Sequence, residues 1–380
     1  MKKLRAFNQH DRVMILSPHP DDESLATGGL IQRAVEAGAQ VRILYATNGD
    51  NNPWPQRVVE RKLRISASDR ARWGRRRQGE AVEALTHLGV PPGTSTRFLG
   101  FPDQGFTKAL LGLDFRPLNA LHSEIANWRP TVLVTPSPFD IHPDHNALAV
   151  FISLALQKIN FQVEHLEFMV HTKGANPHVG RSTLRLTQKQ QEAKRQAILK
   201  HFTQMALSQR RFEAYAKTVE TYFDPIEPAP HLNHFPINFA QISNGALHLR
   251  IAAKRNQLKK RRLLMVIESL TEGSVRWVLK LPARSSLVRV HNAVTEEPLR
   301  NATVRVAQGK VDIRIPINSL QPIQSIHVKL STPSLFYDHC GWREVPLSEA
   351  IQAVSPRNEI QEQDVPNPLN SARNTATTPE

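Results

Sequence analysis

The sequence has a single cysteine, Cys340, among its 380 residues. One thiol cannot close a disulfide within the chain, and it cannot build a thiolate-rich structural zinc site. No apolar run is long enough to span a bilayer, and no apolar signal region follows the basic opening Met1-Lys2-Lys3-Leu4-Arg5. These absences predict a cytoplasmic protein that folds without disulfides.

Aromatic residues are also scarce, at 6% of the chain, and acidic residues are outnumbered by basic ones, 34 to 49. The aromatic residues do not alternate with the basic ones as base-stacking platforms require, and no nucleic-acid-reading motif occurs, so no specific nucleic-acid partner is expected. The net charge of +15 favours anionic partners, such as anionic lipid or phosphorylated sugars, without choosing between them.

The length is typical of two domains. Apolar strands alternate with helical patterns over residues 1–223, which predicts an α/β domain with a Rossmann-like, mostly parallel sheet and helices on both faces. A Pro-rich stretch, 224–245, has the composition of a linker. Short strands with period-two alternation over 246–350 predict a small, antiparallel, sandwich-like β domain, and the polar tail 351–380 is expected to be disordered.

The first chemically informative stretch follows the apolar run Val13-Met14-Ile15-Leu16, which predicts a buried strand. The next residues are Ser17-Pro18-His19-Pro20-Asp21-Asp22-Glu23, and a helical pattern begins after them. Because the two prolines cannot extend the strand ladder, the strand must end there. The polar side chains are therefore expected at the carboxyl end of a strand, where open α/β sheets build their sites.

Asp21 and Asp22 have an ordinary explanation when each is taken singly, because Asp before a helix is usually a cap. Two adjacent carboxylates beside His19 are harder to explain in this way. Like charges at the end of a buried strand repel each other unless a cation lies between them. The stretch therefore predicts a metal site.

A second stretch repeats this arrangement after the predicted strand 131–135. It reads Pro136-Ser137-Pro138-Phe139-Asp140-Ile141-His142-Pro143-Asp144-His145, and a helical pattern follows. His142 and His145 are one turn apart if the segment is helical, so both can face one pocket. Three His and Asp ligands with one open position are typical of catalytic zinc, and ferrous iron accepts a similar set.

Together, Pro18-His19-Pro20-Asp21-Asp22-Glu23 and His142-Pro143-Asp144-His145 resemble the two signatures of the LmbE-like (PIG-L) N-deacetylases. Those enzymes are zinc-dependent hydrolases that remove acetyl groups from compounds containing N-acetylglucosamine. The resemblance extends over roughly residues 10 to 210. It implies that His19, Asp22 and His145 hold zinc, that Asp21 is the general base, and that His142 is the partner of the developing oxyanion.

The residues support this chemistry independently of the resemblance. A metal ion activates both reactants of amide hydrolysis, the amide and the water: it polarises the carbonyl group of the amide and lowers the pKa of the water. Asp21 and Asp22 diverge on an extended chain, which leaves Asp21 free to move a proton from water to the leaving amine. A protonated His142 can stabilise the oxyanion. Asp144 either holds an imidazole and raises its pKa or simply caps the helix.

Residues 56–88 have a helical pattern in which nine basic residues up to Arg77 face only Glu60 and Asp69. This run is either a solvated helix face or a surface for an anionic substrate, a phospholipid headgroup or a polymer. Arg77 resembles the family's arginine that contacts sugar hydroxyls, which implies a substrate-binding role. Asp103 follows a third predicted strand. The resemblance implies that it reaches the substrate, and the alternative is that it stabilises its own turn.

These observations predict a metal-dependent hydrolase that removes the N-acetyl group from an N-acetylglucosamine-containing glycoconjugate, glycolipid or sugar precursor and releases acetate. The substrate would be an N-acetylated amino sugar, and the positive net charge of the chain is compatible with an anionic group on it. Peripheral contact with a membrane is compatible with the basic helix. One alternative is an N-deacylase acting on a non-sugar amide. Another is a catalytically inactive protein that holds an anionic glycan. The sequence predicts no oligomeric state.

Overall fold

The computed structural model describes residues 2–91, 96–172, 181–232, 235–252, 260–307, 309–331, 337–338 and 340–347. The tail 351–380, predicted to be disordered, lies outside these residues. None of the helices in the described ranges combines the length and the apolar composition needed to cross a membrane.

The N-terminal domain alternates strands with helices. Its strands are β1 (Lys2–Lys3), β2 (Arg12–Ser17), β3 (Gln40–Thr47), β4 (Thr96–Phe101), β5 (Val132–Pro136), β6 (Glu164–Phe168), β7 (Ser182–Arg185) and β8 (Val219–Tyr222). Its helices are α1 (Asp22–Glu36), α2 (Pro53–Glu60), α3 (Ala67–His87), α4 (Phe106–Leu111), α5 (Arg116–Trp128), α6 (Pro143–Leu156), α7 (Gln188–Lys200), α8 (Phe202–Met205) and α9 (Gln209–Glu213).

Five of these strands form a parallel sheet in the order β4-β3-β2-β5-β6. Alternate residues of β2 are buried on opposite faces: Val13 and Ile15 pack in the cluster with α1, α3 and α7, and Met14 and Leu16 pack in the cluster with α5 and α6. The fold class predicted for this domain is confirmed. The strand order reverses between β2 and β5, and at such a point loops diverge and leave a crevice.

The basic helical pattern 56–88 is interrupted in the structure. It is divided between α2 and α3, because Arg61 adopts a left-handed conformation (φ 52°) and because Ser66 and Asp69 form a capping box that starts the second helix. Helices α7 and α8 meet at His201. A small sheet, β1-β7-β8, escaped prediction because its strands are only two to four residues long.

The C-terminal domain is one antiparallel sheet. Its strands are β9 (Ile237–Ser243), β10 (Ala246–Ala252), β11 (Arg262–Ser269), β12 (Gly273–Lys280), β13 (Ser286–Asn292), β14 (Pro298–Ala307), β15 (Lys310–Pro316), β16 (Ile323–Ser331) and β17 (Arg343–Glu344). They lie in the order β17-β16-β11-β12-β13-β14-β15-β10-β9, and the sheet curls nearly closed around its own apolar core.

Strand β9 falls within 224–245, the range predicted to be a linker. It pairs with β10, and its residues Ile237, Ala240 and Ile242 enter the core. The prolines therefore mark the entry to the β domain rather than a free connection. The two edge strands of this sheet, β17 and β9, are joined through a side chain. The buried Arg343 of β17 donates hydrogen bonds to the carbonyl oxygens of Ile237 and Pro230.

The two domains share an apolar contact. Along β11, Leu263, Met265 and Ile267 face the core of the β domain, whereas Leu264 and Val266 pack with Trp342 in the cluster that contains α5 and α6. The β domain is thus packed directly behind α6, the helix that carries the second motif.

Candidate active site

The two motifs converge at the carboxyl ends of β2 and β5. Asp22 Oδ2 lies 3.1 Å from His19 Nδ1 and 3.1 Å from His145 Nε2, so one carboxylate oxygen stands between the two imidazoles. His142 completes the group, with its ring centroid 4.8 Å from that of His19 and 4.9 Å from that of His145. The structure therefore brings together the three residues expected to bind metal and the predicted oxyanion partner.

His145 sits deepest in this group. Both of its ring nitrogens are fully buried, and among the described residues neither has a partner in hydrogen-bonding geometry, although Asp22 and Asp140 oxygens lie 3.1 and 3.2 Å away. Burial lowers the pKa of His145, but the two carboxylates outweigh it and raise the pKa to about 10. The site thus favours a positive charge at this position.

Asp140 is a functional candidate to which the sequence argument assigned no role. Its carboxylate accepts hydrogen bonds from the backbone N–H groups of Val170, His171 and His142, and it lies 3.2 Å from His145 Nδ1 and 3.5 Å from His171 Nδ1. Its place two residues before His142, inside the motif, was the available signal. His171, just past the end of β6, enters the site through this carboxylate.

Asp103 and Asp144 lie on the other side of His19. Their carboxylates are 3.2 and 3.3 Å from His19 Nε2. Asp103 also accepts a hydrogen bond from the Asn51 N–H, and Asp144 accepts from the N–H groups of Gln104 and Phe106. Asp144 is not the helix cap, because His142 holds that position and its Nδ1 accepts from the Asp144 N–H. Both aspartates therefore tie neighbouring loops to His19.

Asp21 has a different ionic partner from that of Asp22. It makes no capping hydrogen bond, and its carboxylate pairs with Arg77 at 3.1 Å. Burial raises the pKa of Asp21 to about 6, against the opposing charge of Arg77. A carboxyl with this pKa is ionised at neutral pH and still accepts a proton readily.

Arg77 is 3% exposed, and its guanidinium donates hydrogen bonds to the carbonyl oxygens of Gly49 and Pro20 as well as pairing with Asp21. Gly49 permits this approach, because a Cβ there would lie 1.9 Å from Arg77 Nη1. The sequence predicted direct contact with the substrate. The observed contacts hold Asp21 and two loops in place, although Arg77 also reaches the wall of the cavity.

His142 differs from its neighbours in charge. Burial, followed by the nearby imidazoles of His19, His145 and His171, holds the pKa of His142 well below its usual range. This direction favours a neutral imidazole, whereas the sequence led us to expect a protonated His142. A neutral imidazole still donates one hydrogen bond from its N–H.

The donor set fits a divalent cation. Ring nitrogens of His19, His142 and His145 lie within 4.8 Å of one another, and three carboxylates, those of Asp22, Asp103 and Asp144, lie within 3.3 Å of His19. Burial lowers the pKa of His19, but these carboxylates reverse the effect and raise it well above its usual value. The buried carboxylates favour positive charge on the imidazoles, and the His145 nitrogens have no hydrogen-bond partner among the described residues. A zinc or ferrous ion would satisfy both groups.

The cluster opens into a cavity of about 350 Å³. Its wall includes Asp21, Arg77 and His142 from the α/β domain and Tyr337 from the β domain. The Tyr337 ring centroid lies 5.3 Å from that of His171 and 5.9 Å from that of His142. This contribution was not predicted, since nothing in the sequence around residue 337 indicates proximity to the motifs.

The similarity to known proteins lies in the α/β domain. The family model PIG-L, described as GlcNAc-PI de-N-acetylase, matches residues 14–156, a range that contains both motifs. The resemblance noted from the motifs is thereby confirmed over this range.

Two curated relatives are similar to the same part of the chain, and both are named 1D-myo-inositol 2-acetamido-2-deoxy-alpha-D-glucopyranoside deacetylase. The protein of Mycobacteroides abscessus is 34% identical over 173 residues, which are 42% of this chain and 60% of the relative. That of Kribbella flavida is 33% identical over 156 residues, 35% of this chain and 50% of the relative. The chain thus spans only half to three-fifths of these relatives' length.

Among solved structures, a conserved protein from Thermus thermophilus is 22% identical, with a TM-score of 0.43. The similarity covers 58% of this chain and 98% of that one.

Proposed function

With residues 14–156 taken as a PIG-L domain, we propose that this chain is a metal-dependent N-deacetylase acting on a substrate that contains N-acetylglucosamine. In the reaction, water adds to the acetamide carbonyl carbon, the C–N bond breaks, and acetate and a free amine are released. The names of the relatives support this reaction class, and the burial of the motif residues in one cluster supports it from the structure.

The proposal rests above all on one observation: Asp22 Oδ2 stands within 3.1 Å of both His19 and His145, at the junction of two segments more than 100 residues apart. We assign these three residues as metal ligands. A zinc or ferrous ion there would polarise the acetamide carbonyl and lower the pKa of water.

The remaining residues take roles set by their contacts. Asp21, held by Arg77, accepts a proton from water and delivers it to the leaving nitrogen. His142 faces the same cavity and donates a hydrogen bond to the developing oxyanion. Asp103 and Asp144 fix the orientation of His19, and Asp140 fixes that of His145.

The test is acetate and amine release from a panel of N-acetylglucosamine conjugates by wild type and by Asp21→Asn. We expect the substitution to lower kcat by about 10²- to 10⁴-fold, the usual contribution of a general base. Zinc content should stay close to that of wild type, because Asp21 is not assigned as a ligand. Asp312→Asn, at a half-exposed carboxylate of β15, is the matched control.

The pH profile provides a second criterion. The acid limb of kcat/KM should fall below pH about 6, since Asp21 must be ionised to accept a proton. Equal rates for Asp21→Asn and wild type would contradict the proposed base. Release of amine only from acylated non-sugar amines would favour the N-deacylase alternative, and chelator-resistant glycan binding without amine release would favour the binding protein.

A further inference from the structure

Large apolar side chains are exposed on the helices that flank the cavity. Trp54 and Val58 are 51% and 54% exposed on α2, and Leu63, just after that helix, is 89% exposed. Phe202 and Leu207, on and after α8, are 52% and 54% exposed. These five are nearly half of the large apolar side chains exposed among the described residues, which is more than scattered single exposures would give.

The five side chains belong to one region of the surface. Helices α2 and α8 pack against each other, and Trp54 and Val58 are four residues apart on the same side of α2. The opposite side of α2 is anchored, since Pro55 and Gln56 are buried and Gln56 donates a hydrogen bond to the Asp69 carbonyl. We call the region formed by Trp54, Val58, Leu63, Phe202 and Leu207 the mouth face, because Pro55 and Leu207 also line the cavity.

Basic side chains surround this apolar region. Three of them, Lys62, Arg72 and Arg76, are paired with the carboxylates of Glu60, Asp69 or Glu80. Within the described residues, no ion pair involves Arg57, Arg61, Arg64, Arg70 or Arg75, of which all but Arg57 are exposed. The guanidinium group of Arg57 lies 5.0 Å from the Trp54 ring centroid, so cationic and aromatic groups are interleaved.

We propose that the mouth face docks the protein on an anionic lipid bilayer. The exposed Trp54 and Val58 on the short helix α2, the exposed Leu63 just after it, and nearby arginines with no ion pair among the described residues match the chemistry of peripheral membrane attachment: the apolar groups enter the interface and the arginines contact lipid phosphates. Charge complementarity selects an anionic bilayer, because the arginines outnumber the acidic residues and those acids are already paired. Docking in this orientation holds the opening of the cavity against the membrane. The proposal does not depend on the enzymatic reaction.

Trp54 is a natural probe for this proposal. It is the most exposed tryptophan, since Trp73, Trp277 and Trp342 are at most 1% exposed and Trp128 is partly buried. We expect vesicles of phosphatidylglycerol and phosphatidylcholine to shift the tryptophan emission of the full chain to shorter wavelength and to carry the protein down in sedimentation. Pure phosphatidylcholine should do neither, and rising salt should weaken binding because it screens the arginines.

Variants separate the apolar contribution to vesicle binding from the electrostatic one. Leu63→Ser keeps the probe and should weaken sedimentation with the anionic vesicles several-fold, and Arg61→Glu with Arg64→Glu should abolish it. Leu287→Ser, at a 70% exposed site on β13, and Lys310→Glu, at an exposed position of β15, are the controls and should bind like wild type.

Three outcomes overturn the proposal: no binding to anionic vesicles at low salt, equal loss of binding in the controls, or equal binding to pure phosphatidylcholine. Concentration-dependent dimers that Leu63→Ser disrupts, without vesicle binding, would assign the mouth face to a second copy of the chain instead.

Discussion

The two domains each bury a histidine completely, and they shift its pKa in opposite directions. In the α/β domain, Asp22 and Asp140 overcome the effect of burial and raise the pKa of His145 to about 10. In the β domain, burial lowers the pKa of His327 to about 4, and the Glu344 carboxylate lies 3.8 Å away. Burial is similar in both places, so the charged neighbours decide the outcome: two carboxylates raise the pKa of His145, and the charge of Arg276 adds to the effect of burial on His327.

The buried cations show the same contrast. In the β domain, Arg276 donates to the Leu110 carbonyl and to Glu268, and Lys329 donates to Asn146 and Asp338, so each cation is matched by nearby acceptors. At the edge of the parallel sheet, several carboxylates share a few imidazoles. These two cations of the β domain are therefore matched by acceptors, whereas the carboxylates of the α/β site are arranged to receive positive charge.

The largest expected effect tests this contrast at the two histidines. His145→Ala should reduce zinc uptake, measured by elemental analysis after dialysis, from about one ion per chain to almost none, because a three-ligand site loses one ligand. His327→Ala removes an equally buried imidazole and should leave the zinc content unchanged. Equal zinc content in the two variants would remove the basis of the comparison.

The next largest expected effect concerns the apolar contact between the domains. Trp342→Ala should lower the free energy of unfolding by about 4 kcal/mol, since it empties a fully buried site in the cluster shared with α6. Denaturant unfolding measures this change. Leu287→Ala, at an exposed site, should change stability by no more than about 0.5 kcal/mol. A small effect of Trp342→Ala would mean that the domains are held together elsewhere.

Lys329→Met tests whether the two domains are coupled through charge. Lys329 Nζ is 2.8 Å from Asn146 Oδ1, and Asn146 Nδ2 donates to the Asp140 carbonyl oxygen at 3.0 Å. Loss of the buried ammonium group should cost about 3 kcal/mol of stability and weaken zinc binding about 10-fold. Lys310→Met, on the exposed face of β15, should do neither. Lower stability with unchanged zinc affinity would restrict Lys329 to a structural role.

The smallest effect concerns Glu167, a buried carboxyl of β6. Burial raises the pKa of Glu167 to about 8. Because the folded state then holds a proton that the unfolded state has lost, stability falls as pH rises through this range. Between pH 6 and pH 8 wild type should lose about 2 kcal/mol relative to Glu167→Gln, as measured by denaturant unfolding at each pH. Parallel stability curves for the two proteins would show that Glu167 is already ionised.

The strand ends were predictable because local signals define them. Pro18 and Pro20 stop β2, and the apolar runs before both motifs identify buried parallel strands. The division of the basic helix was less visible, since Arg61 in a left-handed conformation has no strong sequence signal. The role of β9 was obscured by the prolines that precede it.

Contacts between distant segments were harder to predict. The ion pair of Arg77 with Asp21 and the bonds of Asp144 to Gln104 and Phe106 depend on how loops lie above the sheet. Tyr337 and Lys329 reach the site from another domain, and no periodicity in a sequence encodes the packing of one domain on another.

The sequence by itself determined where the strands end and which side chains stand there, because backbone sterics and hydrophobic periodicity act over a few residues. Only the tertiary structure decided the electrostatic surroundings of each group: which carboxylates lie beside which imidazole, why the pKa of His142 is lowered while that of His145 is raised, and which arginines around the cavity have no ion pair among the described residues. Electrostatic energies in a low-dielectric interior depend on distances of a few ångströms between residues far apart in the chain, and the fold alone sets those distances.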